Sequence, residues 1–334
     1  MNSFGKNFRV SIFGESHGAC VGLTMDGVPS GLELSEEDFT SDIDRRRPGA
    51  NGTTARNESD VPQILSGVFN GHTTGAPVTI IFTNDNTVSS DYENFAGIPR
   101  PGHADFSAGE RFGMWNDPRG GGHFSGRLTL PVVAAGVIAK KIVCGILENE
   151  GLTEDRDEAQ VSASIVELGG LKDRNQWDRA LEQAAAEGDS LGAVVECRAH
   201  IPAGLGEPFW NSVESLVSHA IFSIPGVRGI EFGDGFRASS MKGSLHNDPF
   251  GPDGLPVKNG SGGVNGGITN GAPVVFRVAF KPTSSISRPQ ETFNFETGEM
   301  TTLKIKGRHD VCFALRTPVI VEAMTAIVIA DLML

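Results

Sequence analysis

The stretch PVVAAGVIAKKIVCGIL, residues 131–147, and its counterpart PVIVEAMTAIVIADLML, residues 318–334, decide the fold of this chain. Both are rich in Ala, Val and Ile, and each opens with proline just after a threonine, Thr129 and Thr317. Proline suits the first helical position and threonine a helix cap. Helices this apolar on most faces are normally buried, so both read as core helices. A second echo accompanies them: Gly75-Ala76-Pro77-Val78 opens one apolar run and Gly271-Ala272-Pro273-Val274 opens another. Together they predict two related halves, about 8–147 and 192–334, each supplying a sheet and one buried helix. The expectation is a single α+β domain over 1–334, a layered β-α-β sandwich with two helices between two sheets. The acidic segment 148–191 reads as a polar insertion, with a surface helix at 175–187 stopped by Gly188.

Working outward, Phe8–Phe13 alternates as a half-buried strand and Val21–Val28 as a second. Ser35 and Asp38 form a capping-box-like start, with Glu36, Glu37 and Asp38 at the positive end of a helix that runs to Arg45-Arg46-Arg47. Ile64–Phe69 and Pro77–Thr83 read as a hairpin around Asn70-Gly71.

The net charge of −13 over 334 residues argues against a nucleic-acid partner, which would need a broad basic face. It leaves room for a small anionic ligand held by a local arginine cluster. Cys20, Cys144, Cys197 and Cys312 show no paired or zinc-type spacing and read as small buried hydrophobes in a reducing compartment. The stretches 130–139 and 317–330 fall short of the roughly 20 clean residues of a bilayer span. With no apolar signal region at the N-terminus, the expectation is a cytoplasmic protein with no membrane partner.

Chemistry gathers in six clusters. Gly14-Glu15-Ser16-His17-Gly18 crowds a hydroxyl and an imidazole into a turn at a strand end, where the glycines permit close approach to a ligand. Arg45-Arg46-Arg47-Pro48-Gly49 packs cations at a helix end, where they also compensate the dipole. Arg100-Pro101-Gly102-His103-Ala104-Asp105 is a restrained proline-glycine turn. Gly120-Gly121-Gly122-His123-Phe124-Ser125-Gly126-Arg127 leads into the first core helix, where backbone N–H groups can hold phosphate or carboxylate. Lys281-Pro282-Thr283-Ser284-Ser285 ends an apolar strand, and Gly307-Arg308-His309-Asp310 precedes the second core helix. Singly, each also fits a solvated polar turn. Jointly they place Arg, His, Ser and Asp between apolar elements, as an enzyme for a polyanionic substrate requires. No Walker loop, zinc signature or hydrolase nucleophile elbow is present.

In this order, GESHG at 14–18, DRRRPG at 44–49, RPGHAD at 100–105, RGGG at 119–122, KPTSS at 281–285 and GRHD at 307–310 resemble the chorismate synthase family. The resemblance implies a reduced-FMN-dependent lyase that converts 5-enolpyruvylshikimate 3-phosphate to chorismate by 1,4-anti elimination of phosphate, closing the shikimate pathway. It implies a homotetramer and leaves open whether NADPH serves as flavin reductant. By resemblance Arg47, Arg100, Arg127 and Arg308 bind the substrate. His17 protonates the departing phosphate with Ser16 orienting it, and His103 lies beside the flavin. Asp310 assists removal of the substrate proton near the flavin, with Ser125 at the flavin side. His123, Phe124, Ser125, Pro225, Gly226, Gly266, Lys281, Pro282, Thr283, Ser284, Ser285 and Arg308 are the implied flavin contacts, and no metal is implied.

The chain departs from the family where many members read Arg-Ser-Ser-Ala-Arg-Glu-Thr. It has His123-Phe124-Ser125-Gly126-Arg127-Leu128-Thr129 there, and it lacks an arginine shortly after Gly49. Pro225-Gly226 stands where Asn-Ala is common. Two rival readings follow: a non-catalytic flavin- or anion-binding relative, and a metal-dependent hydrolase built on His17, His103, His309 and Asp310.

Overall fold

Alternating apolar residues at the start of the chain form strands whose inner face covers a helical layer. The computed structural model describes residues 2–49, 51–53, 59–85, 97–152, 160–252, 254–305, 307 and 309–334. In chain order the first part contains β1 (Ser3–Phe4), β2 (Arg9–Gly14), β3 (Cys20–Asp26) and α1 (Thr40–Arg46). Then come β4 (Gln63–Ser66), β5 (Val68–Phe69), β6 (His72–Thr73), β7 (Val78–Thr83), α2 (Asp105–Phe112) and α3 (Thr129–Asn149). The second part holds β8 (Val161–Leu168), α4 (Trp177–Ala186), β9 (Ala193–Ala199), α5 (Val213–Ile221), β10 (Val227–Phe232) and α6 (Gly243–His246). It closes with β11 (Val264–Asn265), β12 (Ile268–Thr269), β13 (Val274–Phe280), β14 (Gln290–Asn294), β15 (Glu299–Leu303) and α7 (Pro318–Met333).

Two antiparallel sheets result, one ordered β1-β2-β3-β7-β4 and the other β10-β13-β9-β8. α3 packs on β2, β3 and β7, α7 packs on β8 and β9, and the two helices pack on each other. The fold is α+β, with helices layered between sheets. The two Gly-Ala-Pro-Val tetrapeptides occupy matching places. Gly75 and Gly271 have φ of 83° and 89°, and each leads into an inner strand of its sheet, β7 or β13. Where the helices cross, a Cβ on Gly136 would lie 2.3 Å from the Cβ of Ala323, so only glycine permits this approach. The ends of the chain are joined as well. Asp331 Oδ1 accepts the backbone N–H groups of Lys6, Asn7 and Phe8 at 2.7, 2.6 and 2.8 Å.

Several expectations change. Thr317 holds the N-cap position of α7 and Thr129 begins α3, but neither side chain caps: Thr129 Oγ1 donates back to Gly126 O at 2.6 Å and Thr317 Oγ1 to Ala314 O at 2.8 Å. The physical reason is that a 3-10 turn precedes each helix, Gly126–Leu128 and Phe313–Arg316, and supplies carbonyls within reach. Pro318 does take the first helical position, whereas Pro131 is the third residue of α3, still in its first turn. The tight turn at Asn70-Gly71 joins β5 to β6, while β4 pairs with β7. The segment 148–191 is more than an insertion, because β8 within it is the edge strand of the second sheet. The helix at 177–186 is present, followed by Gly188 at φ 66°. Cys197 and Cys312 are buried, but Cys20 and Cys144 are only partly so. By length and hydropathy the helical stretch Gly126–Asn149 would serve to span a bilayer, longer than the sequence reading allowed. Its apolar side chains are spent instead on α7 and the first sheet.

The buried acid within the apolar helix α7, Glu322, is fully engaged. Arg45 grips it with two bonds of 2.7 Å, Lys140 Nζ lies at 3.1 Å, and Ala163 N donates at 2.9 Å. One carboxylate therefore ties α1, α3, α7 and β8 together. Removing one partner of such a cluster strands the buried charges that remain. Glu322→Ala is expected to lower stability by about 3 kcal/mol, the lower end for a buried pair because Arg45 is partly solvated. Urea unfolding monitored by circular dichroism checks this.

Candidate active site

A cavity of about 970 Å³ opens at the N-terminal ends of both core helices. Gly126–Thr129 and Val132 line it from α3 and the turn before it, and Phe313, Arg316, Thr317, Ile320, Met324 and Ile327 from α7 and the turn before it. The partial positive charge of two helix N-termini thus faces one space, which favours anions. Among the described residues its charged lining comprises Arg46, Arg100, Arg127, Arg228, Lys281 and Arg316 against Asp60 and Asp310. Six cations against two carboxylates, in a chain of net charge −13, make this a local reversal of sign.

The Gly14–Gly18 loop joins β2 to β3. Gly14 has φ 100°, and a Cβ there would meet Cys20 O at 2.3 Å. Ser16 lines the cavity, and its N–H donates to Gly122 O at 3.1 Å. His17 is buried immediately behind Gly120, where a Cβ would fall 2.5 Å from its ring and 2.8 Å from Ser16 Oγ. Gly120, Gly121 and Gly122 all have positive φ, so the run can fold over the loop in a way side chains would prevent. Asn84 fixes the loop from below, donating to Glu15 O at 3.1 Å and Gly18 O at 2.8 Å.

Asn84 also accepts from Arg127 Nε at 3.0 Å, while Arg127 Nη1 binds Asp60. Arg46 Nη1 is 4.0 Å from the other oxygen of Asp60. Arg46, Asp60 and Arg127 are 5%, 4% and 8% exposed, so two buried arginines share one buried carboxylate on the cavity wall. The expected Arg47 is placed differently. It bonds Asp44 and Ser59 O and does not line the cavity, whereas Arg46 and Pro48 do. The reason lies in α1: Phe39, Ile43 and Arg46 stand at i, i+4 and i+7, one inward face, and Arg47 is already past the helix end.

Two motifs far apart in sequence are clasped together at the opposite wall. Arg100 donates to both oxygens of Asp105 at 2.7 Å and, through Nη1, to Ser285 Oγ at 3.2 Å. Lys281 Nζ donates to Gly102 O and to Ser284 Oγ at 2.6 Å, and Ser284 Oγ donates to Gly102 O at 2.8 Å. Burial, then the charge of Arg228, pulls the Lys281 ammonium below its ordinary value. His103 Nδ1 is 2.5 Å from Asp105 Oδ1 and must carry the hydrogen. Its other ring nitrogen, Nε2, faces Gly121. Similarly His123 Nδ1 donates to Gly14 O at 2.8 Å.

Phe124, Ser125, Pro225, Gly226, Pro282 and Thr283 all line the cavity, and Gly226 at φ 90° lies flat against the Phe313 ring. Thr283 Oγ1 is buried with no hydrogen-bond partner among the described residues. Such a group costs about 1–3 kcal/mol unless a ligand completes it. Asp310 lines the cavity and accepts from Arg316 Nη2. Gly266 does not belong here: it sits in the turn between β11 and β12 with open space around it. Arg308 lies outside the described residues. Among the described residues no group of three or more His, Cys, Asp or Glu side chains could hold a metal ion.

Sequence reasoning passed over Arg46, Asp60, Asn84, Arg228 and Arg316. Only Arg46 left a signal, the helical spacing from Phe39. Asp105 was quoted in its motif but given no role, although it is the most strongly held acid of the site. Burial by itself would raise its carboxyl, but hydrogen bonds and charge from Arg100 and His103 hold it well below the usual carboxylate range. A depressed pKa contributes stability that is fully present above the unfolded value, near 3.9, and is lost as pH falls through the folded one. The stability gap between the native chain and Asp105→Asn is therefore expected to be widest at neutral pH and to close below about pH 4. Urea unfolding across pH 3–7 checks it.

The profile of the chorismate synthase family matches residues 8–334. A chorismate synthase from Chitinophaga pinensis is 55% identical over 336 residues, spanning 100% of this chain and 97% of that protein. One from Korarchaeum cryptofilum is 46% identical over 346 residues, spanning 98% and 96%. A crystal structure of chorismate synthase superposes with a TM-score of 0.72 at 25% identity, covering 98% of this chain and 92% of that one. The match takes in both sheets, both core helices and every segment that lines the cavity, and by it the chain belongs to the chorismate synthase family.

Proposed function

We propose that the cavity holds reduced FMN and 5-enolpyruvylshikimate 3-phosphate side by side and eliminates phosphate from the latter to yield chorismate. As a family member the chain is a carbon–oxygen lyase of the last step of the shikimate pathway. The observation that carries the reading is the pair Arg46 and Arg127 on one carboxylate, Asp60. Among the described residues this sets two buried cations beside one carboxylate, on the wall of a cavity at the upper end of the usual range of about 300–1,000 Å³ for ligand pockets. A substrate with two carboxylates and a phosphate matches that charge.

The residues fit a flat anionic cofactor. Thr283 with its uncompleted hydroxyl, Lys281, Ser284 and Ser285 on one side, and Pro225, Gly226, His123, Phe124 and Ser125 around it, would hold the flavin. Reduced flavin supplies, when bound, the transient electron density that C–O cleavage needs, with no net redox change. The protein's own part is position and protons. Arg46, Arg100 and Arg127 orient the anionic groups. Ser16 and His17 meet the departing phosphate, and His17 gives it a proton. His103 keeps a proton on Nδ1 against Asp105 and presents Nε2 to the flavin side. Asp310 assists removal of the substrate proton. NADPH is the candidate reductant. By the family's example the enzyme would be cytoplasmic and homotetrameric. The exposed Phe209, Trp210 and Phe236 would suit such contacts, and sedimentation velocity would test the assembly.

The direct experiment is anaerobic: purified protein, dithionite-reduced FMN and 5-enolpyruvylshikimate 3-phosphate, with chorismate absorbance and phosphate followed together. Equal amounts of both are expected; flavin and substrate binding without phosphate release would favour a non-catalytic relative. His17→Ala should slow turnover about 10²–10⁴-fold, the usual worth of general acid–base help, with FMN affinity by fluorescence unchanged. Arg46→Gln should raise KM about 10–100-fold, since a hydrogen bond to a charged group contributes about 1.5–3 kcal/mol. Steady-state kinetics distinguishes the two effects.

A further inference from the structure

We infer that Arg316 is a positioning residue that sets the orientation of Asp310, an inference that rests on the catalytic role proposed for Asp310. Asp310 belongs to no helix or strand. It enters the cavity from a loop, where a carboxylate needs an external constraint to hold one direction. Arg316 supplies it, donating from Nη2 to Asp310 Oδ2 across six residues. The donor is mounted on a stiff frame. It ends the 3-10 turn Phe313–Arg316, which Thr317 Oγ1 closes onto Ala314 O at 2.8 Å and which leads straight into the buried helix α7. Phe313 in the same turn packs edge-on against Phe280 at 5.9 Å and against Gly226. Both Arg316 and Asp310 line the cavity.

A purely stabilising role explains this pair poorly. Arg316 Nε is buried without a hydrogen-bond partner among the described residues, a cost that a side chain kept for stability alone would avoid. Well-packed apolar residues commonly replace buried ion pairs at no loss. A guanidinium with an unsatisfied nitrogen, aimed at a cavity carboxylate, is what a site retains for direction. It fixes which oxygen faces the substrate.

The test is a double-mutant cycle on the full-length protein with reduced FMN, reading kcat, KM and thermal midpoint for Arg316→Gln, Asp310→Asn and the double variant. If Arg316 acts through Asp310, Arg316→Gln lowers kcat about 10–100-fold with KM within about threefold, and the double variant is no slower than Asp310→Asn. Guanidinium ion in the buffer should partly restore kcat to Arg316→Ala, but not to a variant that also carries Asp310→Asn. Losses that multiply in full, or unchanged kcat in Arg316→Gln, would overturn the inference while leaving Asp310 in place. Wild-type turnover in Asp310→Asn would instead remove the role given to Asp310, and this inference with it. Should Arg316→Gln not fold, Arg316→Lys, which keeps the charge and loses the fork, carries the same comparison.

Discussion

The close crossing of two apolar helices, where Gly136 of α3 meets Ala323 of α7, is the constraint on which the remaining structure hangs. With Cβ atoms on both sides the helices could not approach this nearly, and each carries a sheet on its outer face. The crossing thus sets the spacing of the two sheets. It also brings two helix N-termini to one end of the layer, each preceded by a 3-10 turn that carries an arginine, Arg127 or Arg316. A cavity lined by two dipole ends and two arginines is the geometric result of packing the most apolar segments of the chain.

Charge is handled in two distinct ways around that core. Glu322 is surrounded by Arg45, Lys140 and a backbone N–H, all its capacity used in joining elements. Among the described residues at the cavity the balance is the reverse, with Arg46 and Arg127 sharing Asp60. Buried cation in excess of buried anion is costly in an empty protein. It becomes favourable when an anionic ligand arrives, so the cost is concentrated where binding can offset it. Arg100 and His103 on Asp105 form an intermediate case, in which the acid fixes the imidazole tautomer and the arginine also reaches Ser285.

Much of this was readable in the residues. Composition alone located both core helices, and the Gly-Ala-Pro-Val echo marked equivalent strands, because burial and turn chemistry are local properties. The motifs likewise named most of the cavity wall. What stayed hidden depended on distance in space. β8 reads as polar because it is an edge strand, with Val161, Ile165 and Leu168 buried among exposed or half-buried neighbours. Asp60 and Asn84 are polar loop residues beside a strand, and only the fold shows that one joins two arginines and the other joins Arg127 to the Gly14–Gly18 loop. Arg46 could have been preferred to Arg47 from the helical spacing of Phe39 and Ile43. Gly266 shows the opposite error, in which a hairpin-turn glycine looks the same in sequence as one that clears space for a ligand.

The most direct measurement is a crystal structure of the complex with FMN and 5-enolpyruvylshikimate 3-phosphate. The account predicts both molecules in the cavity at the N-terminal ends of α3 and α7. The substrate's anionic groups should lie within hydrogen-bond distance of Arg46 and Arg127, with the flavin against Thr283–Ser285. Substrate bound elsewhere, or anchored out of reach of Arg46 and Arg127, would contradict it.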